Sequence, residues 1–348
     1  MSPAVSASRI ARGVSRLLAV NMGLRPGERV LVATDLPTPA LQSTLGPAGL
    51  AGMERRNRLA RAVCRCASGL FPRSRFDLLE FPATGRSGAE PDPAAAEALL
   101  GADVLLLITT FSLSHTRARA AATARGARVA SMPGFEGFML GPRGALAVDH
   151  RALARSSAAW AGLLTRAQEA RVECPAGTRL TLSLAGREAG SDDGLFTRPG
   201  QWGNLPAGEA FVAPVEGSAE GTVVVEAGWA PEPMAGRLLL EVRGGEVGRI
   251  EGRGACADRL RALLLDPQAP PGRRNLAELG VGTNPNARRP DSLLEAEKIR
   301  GTVHVAVGGN AHMGGKVEAD LHYDLVIASA SLWLDGRPVM DRGRWRLP

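Results

Sequence analysis

Apolar residues in the first half of the chain follow two patterns that take turns. Runs of strand length stand at Arg29–Thr34, Phe76–Phe81, Ala102–Thr110 and Ala127–Ser131. Between them, Arg55–Leu70 places Leu59, Val63, Cys66 and Leu70 at helical spacing, and Arg117–Arg125 predicts another helix. The run Ala102–Thr110 is apolar without alternation, as a parallel strand covered on both faces requires. This rhythm predicts a doubly wound α/β domain. Asp149–Gln168 predicts a long helix that closes it.

From Arg171 the pattern changes. Short strands are predicted at Arg179–Ser183, Thr222–Glu226, Arg237–Val242, Val247–Glu251, Gly301–Val307 and Ala319–Ala328. One helix is predicted at Asp258–Leu265, followed by a proline-rich loop over Asp266–Arg273. Asp335-Gly336 between strand-like runs signals a terminal hairpin. The break falls near 165–170, giving an α/β domain over 1–168 and a β-rich α+β domain over 169–348.

Charge changes this picture little. The net charge of +7 suggests nucleic acid, but of the 42 basic residues only Lys298 and Lys316 are lysines and the arginines are scattered. A nucleic-acid footprint needs clustering and aromatic platforms, and aromatics make up only 4% of the chain. No apolar run approaches the roughly 20 residues of a membrane span. Met1–Leu24, with Arg9, Arg12 and Arg16 among apolar residues, predicts an amphipathic helix and not a signal peptide. Four cysteines in 348 residues make no disulfide framework, and Cys64 and Cys66 are expected to pack within their helix. A cytoplasmic protein is expected. No glycine fingerprint follows a strand and no Walker loop exists, so nucleotide binding has no support.

Chemistry concentrates late in the chain. In Lys316–Ile327, strand alternation puts Glu318, Asp320, His322 and Asp324 on one face and Val317, Ala319, Leu321, Tyr323 and Leu325 on the other. A His-x-Asp pair so placed suits two ligands of a metal, or one ligand and its orienter. His304 interrupts an apolar strand whose other face carries Val303, Val305 and Val307. A glycine-rich stretch, Gly308–Gly315, links the two strands. Glu278 and Glu209 stand beside turn or strand signals further upstream. Two glutamates, two histidines and an aspartate form a hard set that fits Zn, Mn, Co or Fe(II), without thiolate.

Several blocks then carry a resemblance: Ser112-Leu-Ser-His-Thr116, Asn204-Leu-Pro-Ala-Gly-Glu209, Ala213–Thr222, Ala277–Pro285, Gly301-Thr-Val-His304 and His322-Tyr-Asp324. With them the chain resembles the aminopeptidase T family of metallopeptidases, in its shorter branch labelled leucyl aminopeptidase. The resemblance implies an N-terminal α/β domain, a β-rich metal-bearing C-terminal domain and a homodimer. It also implies that Glu209, Glu278, His304, His322 and Asp324 are ligands of a dinuclear metal centre. The expected activity is that of a metal-dependent aminopeptidase-like hydrolase on small peptides or related amides. Glu209 or Glu278 would be ligand or general base.

The chain is also similar to the ring-opening dihydroxypyridine dioxygenases, which use one non-haem iron held by two histidines and an aspartate. Glu278 stands where one of those histidines is expected, which favours the hydrolase set. A mononuclear Fe(II) dioxygenase on an aromatic or pyridine diol would have to use His304, His322 and Asp324. A third alternative is a non-catalytic binding protein, because Ala311 stands where longer family members carry a tyrosine that Asn310 or His312 would have to replace. Three other features are expected to be bland. Ser114-His115-Thr116 reads as a loop, since adjacent residues cannot share triad geometry. His150 reads as a surface residue near an N-cap, and Glu295 and Glu297, close to Lys298 in a loop before the His304 strand, read as solvated charge, with support of a metal ligand as the alternative for either glutamate.

Overall fold

The apolar runs of the first half pair side by side as a parallel sheet in the order Arg75–Pro82, Arg29–Leu36, Val104–Leu107, Arg128–Ser131 and Trp202–Asn204. The structure is a computed structural model that describes residues 7–230 and 234–346. Leu31, Ala33, Leu105 and Leu107 face one way and pack with Leu99, Ala118 and Ala122 from the helices Pro93–Leu99 and Arg117–Ala124. Val30, Val32, Val104 and Leu106 face the other way and are equally buried, and the long helix Pro47–Leu70 packs on the Arg29–Leu36 strand. Covering on both faces explains why the 102–110 run shows no alternation. Cys64 and Cys66 are buried, free thiols within that long helix. The expected N-terminal helix appears as Ala7–Arg16 followed by a wider turn over Leu17–Asn21; residues 1–6 lie outside the described residues.

The chain divides into two units: the described residues up to His150 with Gly194–Ala207, and Arg151–Asp193 with the described residues from Gly208. The division falls one residue into the helix His150–Arg166 and not after it, because Trp160 and Leu164 belong to the core of the second unit. The return of 194–207 follows from Trp202–Asn204 pairing with Arg128–Ser131 as the edge strand of the parallel sheet. His150 is not on the surface: it is 3% exposed, and its ring lies 3.1 Å from the Asn21 side-chain amide.

The second unit is a sandwich of antiparallel sheets. One sheet has eight strands, from Glu246–Glu251 at one edge through Glu169–Glu173 to Arg344–Trp345. The other has five, in the order His322–Ile327, Val303–Gly308, Leu276–Gly282, Glu209–Val212 and Gly190–Asp192. Val303, Val305, Val307, Tyr323, Leu325 and Ile327 point from the five-stranded sheet into a core shared with Leu180, Leu182, Val223, Leu240 and Leu332 of the larger one. Tyr323 thus packs away from His322 and Asp324. The hairpin turn at Asp335-Gly336 has φ of 49° and 76°, the pair of positive values a two-residue turn of this kind needs.

The last of these strands begins later than the alternation suggests. It starts at His322, and 316–321 run irregularly before it. Glu318 and Asp320 therefore do not continue the polar face; Asp320 lies out at the surface in a two-toothed ion pair with Arg273, at 2.7 Å for each oxygen. Among the described residues no helix is long and apolar enough to cross a membrane.

Candidate metal centre

The five-stranded sheet is apolar on its core face, so its opposite face collects the polar residues, and strand register decides which of them meet. Phe211, Gly280, His304 and Val326 form one row across the sheet. In the next row Glu278 and Asp324 flank Ala306, and beyond it His322 stands opposite Gly308. Glu209 stands opposite Gly282 on the other side of the His304 row. A bulge between Leu276 and Glu278 lets Glu278 face outward while Leu276 stays in the core. The five residues come from four strands of one sheet, so they converge only when this unit folds.

They form two triplets that share Glu278. Donor atoms of Glu209, Glu278 and His304 lie within 4.8 Å of one another, and so do those of Glu278, His322 and Asp324. His304 Nε2 is 3.3 Å from Glu209 Oε2 and 3.3 Å from Glu278 Oε1. His322 Nε2 is 2.8 Å from Glu278 Oε2 and 3.6 Å from Asp324 Oδ1. The triplet containing His322 and Asp324 is thus completed by Glu278, and His304 belongs to the other. A set of His304, His322 and Asp324 is not what the geometry brings together.

The donors fit a divalent metal ion on a specific observation. His322 Nδ1 is 2.9 Å from the Gly309 carbonyl, which only accepts, so Nδ1 carries the proton. A neutral His322 then directs the Nε2 lone pair at two carboxylate oxygens. That is repulsive unless a cation lies between them, either a second ring proton or a metal ion. An imidazole anchored through Nδ1 to a carbonyl is the usual posture of a metal-binding histidine. The cofactor is a divalent metal ion, and these groups are the candidates to hold it.

Electrostatics within the cluster is strong. Burial opposes ionisation of Glu209, but the Lys298 charge and the His304 hydrogen bond outweigh it and bring its pKa to about 2. Glu278 is likewise buried, and hydrogen bonds from His304 and His322 bring it to about 2. Both histidines are held well above their ordinary range: burial works against them, and the facing carboxylates prevail. Protons sit firmly where a metal ion would compete for them.

Glu295, Glu297 and Lys298, expected as solvated charge, are all buried. Lys298 Nζ is 2.5 Å from Glu209 Oε1 and 2.8 Å from Glu297 Oε1, and the side chain is 1% exposed. Burial, reinforced by the charges of Asp324 and Glu209, pushes Glu297 to about 8 even beside this ammonium. One sequence signal was present: Lys298 is one of two lysines in a chain that otherwise uses arginine. Gly282 makes the approach possible, since a Cβ there would lie 2.2 Å from the Ile299 carbonyl of the same turn.

Neither candidate for the missing tyrosine behaves as one. Asn310 is buried and spent on its loop: Oδ1 accepts from Val317 N, and Nδ2 donates to Glu216. His312 is exposed with its ring edge-on to His322 at 5.3 Å. In the other unit, Ser114 Oγ bonds Ser131 and Asn204, and Thr116 caps the helix Arg117–Ala124, so this stretch is structural.

Two supporting contacts give testable consequences. A Cβ on Gly280 would lie 2.0 Å from His304 Nε2. Gly280→Ala should displace the His304 ring and cost about 1–3 kcal/mol, as overpacking does; chemical denaturation measures it, and an unchanged midpoint would refute the close approach. Glu216 Oε1 accepts from Asn310 Nδ2 at 3.1 Å and Lys316 N at 2.7 Å, and its other oxygen pairs with Arg187. It thereby fixes the loop whose Gly309 carbonyl holds His322. Glu216→Ala should weaken metal binding by about tenfold, the low end for outer partners of a ligand. Calorimetric titration with Mn(II) checks this.

Comparison with known proteins corrects the expected activity. Residues 72–346 match the family described as NicX: 2,5-dihydroxypyridine 5,6-dioxygenase. A 2,5-dihydroxypyridine 5,6-dioxygenase from Pseudomonas putida strain KT2440 is 28% identical over 197 residues, covering 52% of this chain and 55% of that protein. The match thus spans little more than half the length of that relative. A solved structure of 2,5-dihydroxypyridine dioxygenase from Pseudomonas putida KT2440 shares the fold, with a TM-score of 0.74 at 22% identity over 99% of both chains. Wild-type AmpT from Thermus thermophilus shares it too, with a TM-score of 0.66 at 17% identity over 98% of this chain and 100% of that one. The likeness to aminopeptidase T is one of fold. The aminopeptidase-like hydrolase expected from the residue blocks is overturned by the family match, which names a dioxygenase.

Proposed function

The chain belongs to the 2,5-dihydroxypyridine 5,6-dioxygenase family, and from that premise we propose that it is a mononuclear non-haem Fe(II) ring-cleaving dioxygenase acting on a pyridine diol or a related aromatic diol. The observation that carries this reading is the family match over residues 72–346, a stretch that contains all five converging residues. Glu278, His322 and Asp324 would hold the ion. When bound, Fe(II) supplies the one-electron and dioxygen chemistry that amino-acid side chains lack.

The chain's own groups do the rest. Gly309 fixes the His322 ring through Nδ1, and the 308–317 loop is tied down by Glu216 and Asn310. His304 Nε2 donates toward Glu278 Oε1 and so turns Oε2 toward His322. Glu278 in place of a second histidine gives the ion one imidazole and two carboxylates. That set is more anionic than two histidines and one carboxylate, and harder oxygen donors suit Fe(II) and Mn(II) alike.

The test is oxygen consumption by metal-stripped protein given 2,5-dihydroxypyridine, with and without Fe(II), alongside release of amino acid from dipeptides. Uptake that requires Fe(II), with both atoms of labelled dioxygen entering the opened product, is expected. Fe(II)-independent silence toward pyridine and benzene diols would remove the reading.

A further inference from the structure

We propose that Lys298 is a built-in cation standing in for a second metal ion, so that the five-donor cluster takes one divalent ion, at Glu278, His322 and Asp324. The proposal rests on the reading of the cluster as a single-ion divalent-metal site and deepens it: it names the residue that keeps the second half of the cluster free of metal.

Two triplets joined by a carboxylate that offers one oxygen to each would ordinarily serve two ions. Here the halves are unequal. His322 is anchored by Gly309 through Nδ1. His304 Nδ1 is buried and has no hydrogen-bond partner among the described residues. A ligand histidine needs its second nitrogen held, to fix the ring and the tautomer. The His304 half lacks that support.

Glu209 differs in the same sense. Its Oε1 is taken by the Lys298 ammonium at 2.5 Å, which leaves Oε2, and Oε2 faces His304 Nε2 at 3.3 Å. An ion on Oε2 would sit on the far side of one carboxylate from a fully buried positive charge. In such a weakly screened interior the two cations repel strongly. The Glu209 half is therefore already neutralised: Lys298 supplies the charge, and His304 supplies an N–H shared by Glu209 and Glu278. Glu297 holds Lys298 from the other side at 2.8 Å, so the ammonium cannot swing away to admit an ion. Lys298 and His304 act as positioning residues that present Glu278 Oε2 to a single ion.

The experiment titrates the metal-stripped full chain with Mn(II), reading bound ion by equilibrium dialysis and its spectrum by electron paramagnetic resonance. Wild type should bind one Mn(II) per chain with the spectrum of an isolated ion. Glu209→Gln should hold that ion within about threefold, whereas Asp324→Asn should weaken it by about a hundredfold. Lys298→Met should admit a second ion, seen as a spin-coupled pair, and Lys298→Arg, which keeps the charge, should restore a single one. Two ions on wild type, equal losses in Glu209→Gln and Asp324→Asn, or a folded Lys298→Met that still binds one would each overturn the proposal. If Lys298→Met does not fold, wild-type stoichiometry and the Glu209/Asp324 comparison decide it. Mn(II) binding needs no turnover: one ion without oxygen chemistry defeats the dioxygenase reading and leaves this one, whereas two ions with Fe(II)-dependent oxygen chemistry defeat this proposal and leave ring cleavage standing without its mononuclear centre.

Discussion

His322→Ala should abolish tight binding of a divalent ion and lower Fe(II)-dependent oxygen consumption on the order of a thousandfold, about 4 kcal/mol in barrier terms. The imidazole is the sole nitrogen donor of its triplet, and its Nε2 faces both Glu278 and Asp324, which strand register brings to either side of Ala306. Without it two carboxylates face each other with no partner, and an ion held by them alone loses the anchor that Gly309 supplies. The fold should persist, because the neighbours of His322 in sequence, Tyr323 and Leu325, carry the strand's packing on the opposite face. Circular dichroism and a denaturation midpoint close to wild type establish that control. Retained Mn(II) affinity in the folded variant would show that His322 is not a ligand, and both the functional reading and the single-ion proposal would lose their centre.

What was legible in the sequence was local. The alternation of His322-Tyr-Asp324 put imidazole and carboxylate on one face and tyrosine on the other, because a strand's two-residue period needs no knowledge of its neighbours. His304 among valines was legible for the same reason. What failed depends on residues far away in sequence. Glu297 and Lys298 read as solvated because charged side chains stay in water unless paired, and the partner, Glu209, is 89 residues from Lys298. His150 looked like a surface residue near a helix start, and Asn21, 129 residues earlier, covers it. The edge strand Trp202–Asn204 returns to a sheet built from residues before 132, which no local period announces. The last strand is shorter than its alternation suggests for a subtler reason: 316–321 alternate correctly, but the Gly309 N–H donates to the Leu321 carbonyl and Arg273 captures Asp320.

The activity failed at another level. Glutamates, histidines and an aspartate on one polar sheet face serve hydrolytic and oxidative chemistry alike, so a fold shared with an aminopeptidase carried the wrong reaction. The donor set alone did not separate them. How the charges around it are arranged bears on the question more directly, since two-metal activation of water needs both halves of the cluster free for ions.

Lys298→Met should therefore have the largest effect on stability of any single change at the site, a loss of about 3–5 kcal/mol. The methionine fills much the same volume, so packing is not what is lost. Lys298 Nζ holds Glu209 and Glu297 at 2.5 and 2.8 Å with almost no water access, and its removal leaves two buried carboxyl groups without a cation. The two respond differently. Glu297, pushed to about 8, is already mostly protonated at neutral pH and stays so, whereas Glu209 keeps its charge through His304. Lys298→Met/Glu297→Gln should accordingly recover only part of the loss, and a double-mutant cycle should show a coupling of about 1–3 kcal/mol between the two positions, as for residues in one charge network. Adding Mn(II) gives a second, opposite signature. An ion entering beside Glu209 supplies the missing charge, so the metal should raise the denaturation midpoint of Lys298→Met more than that of wild type. A single mutant within about 1 kcal/mol of wild type without metal, or one that Mn(II) stabilises no more than wild type, would show that the lysine is not the charge that fills the Glu209 half of the cluster.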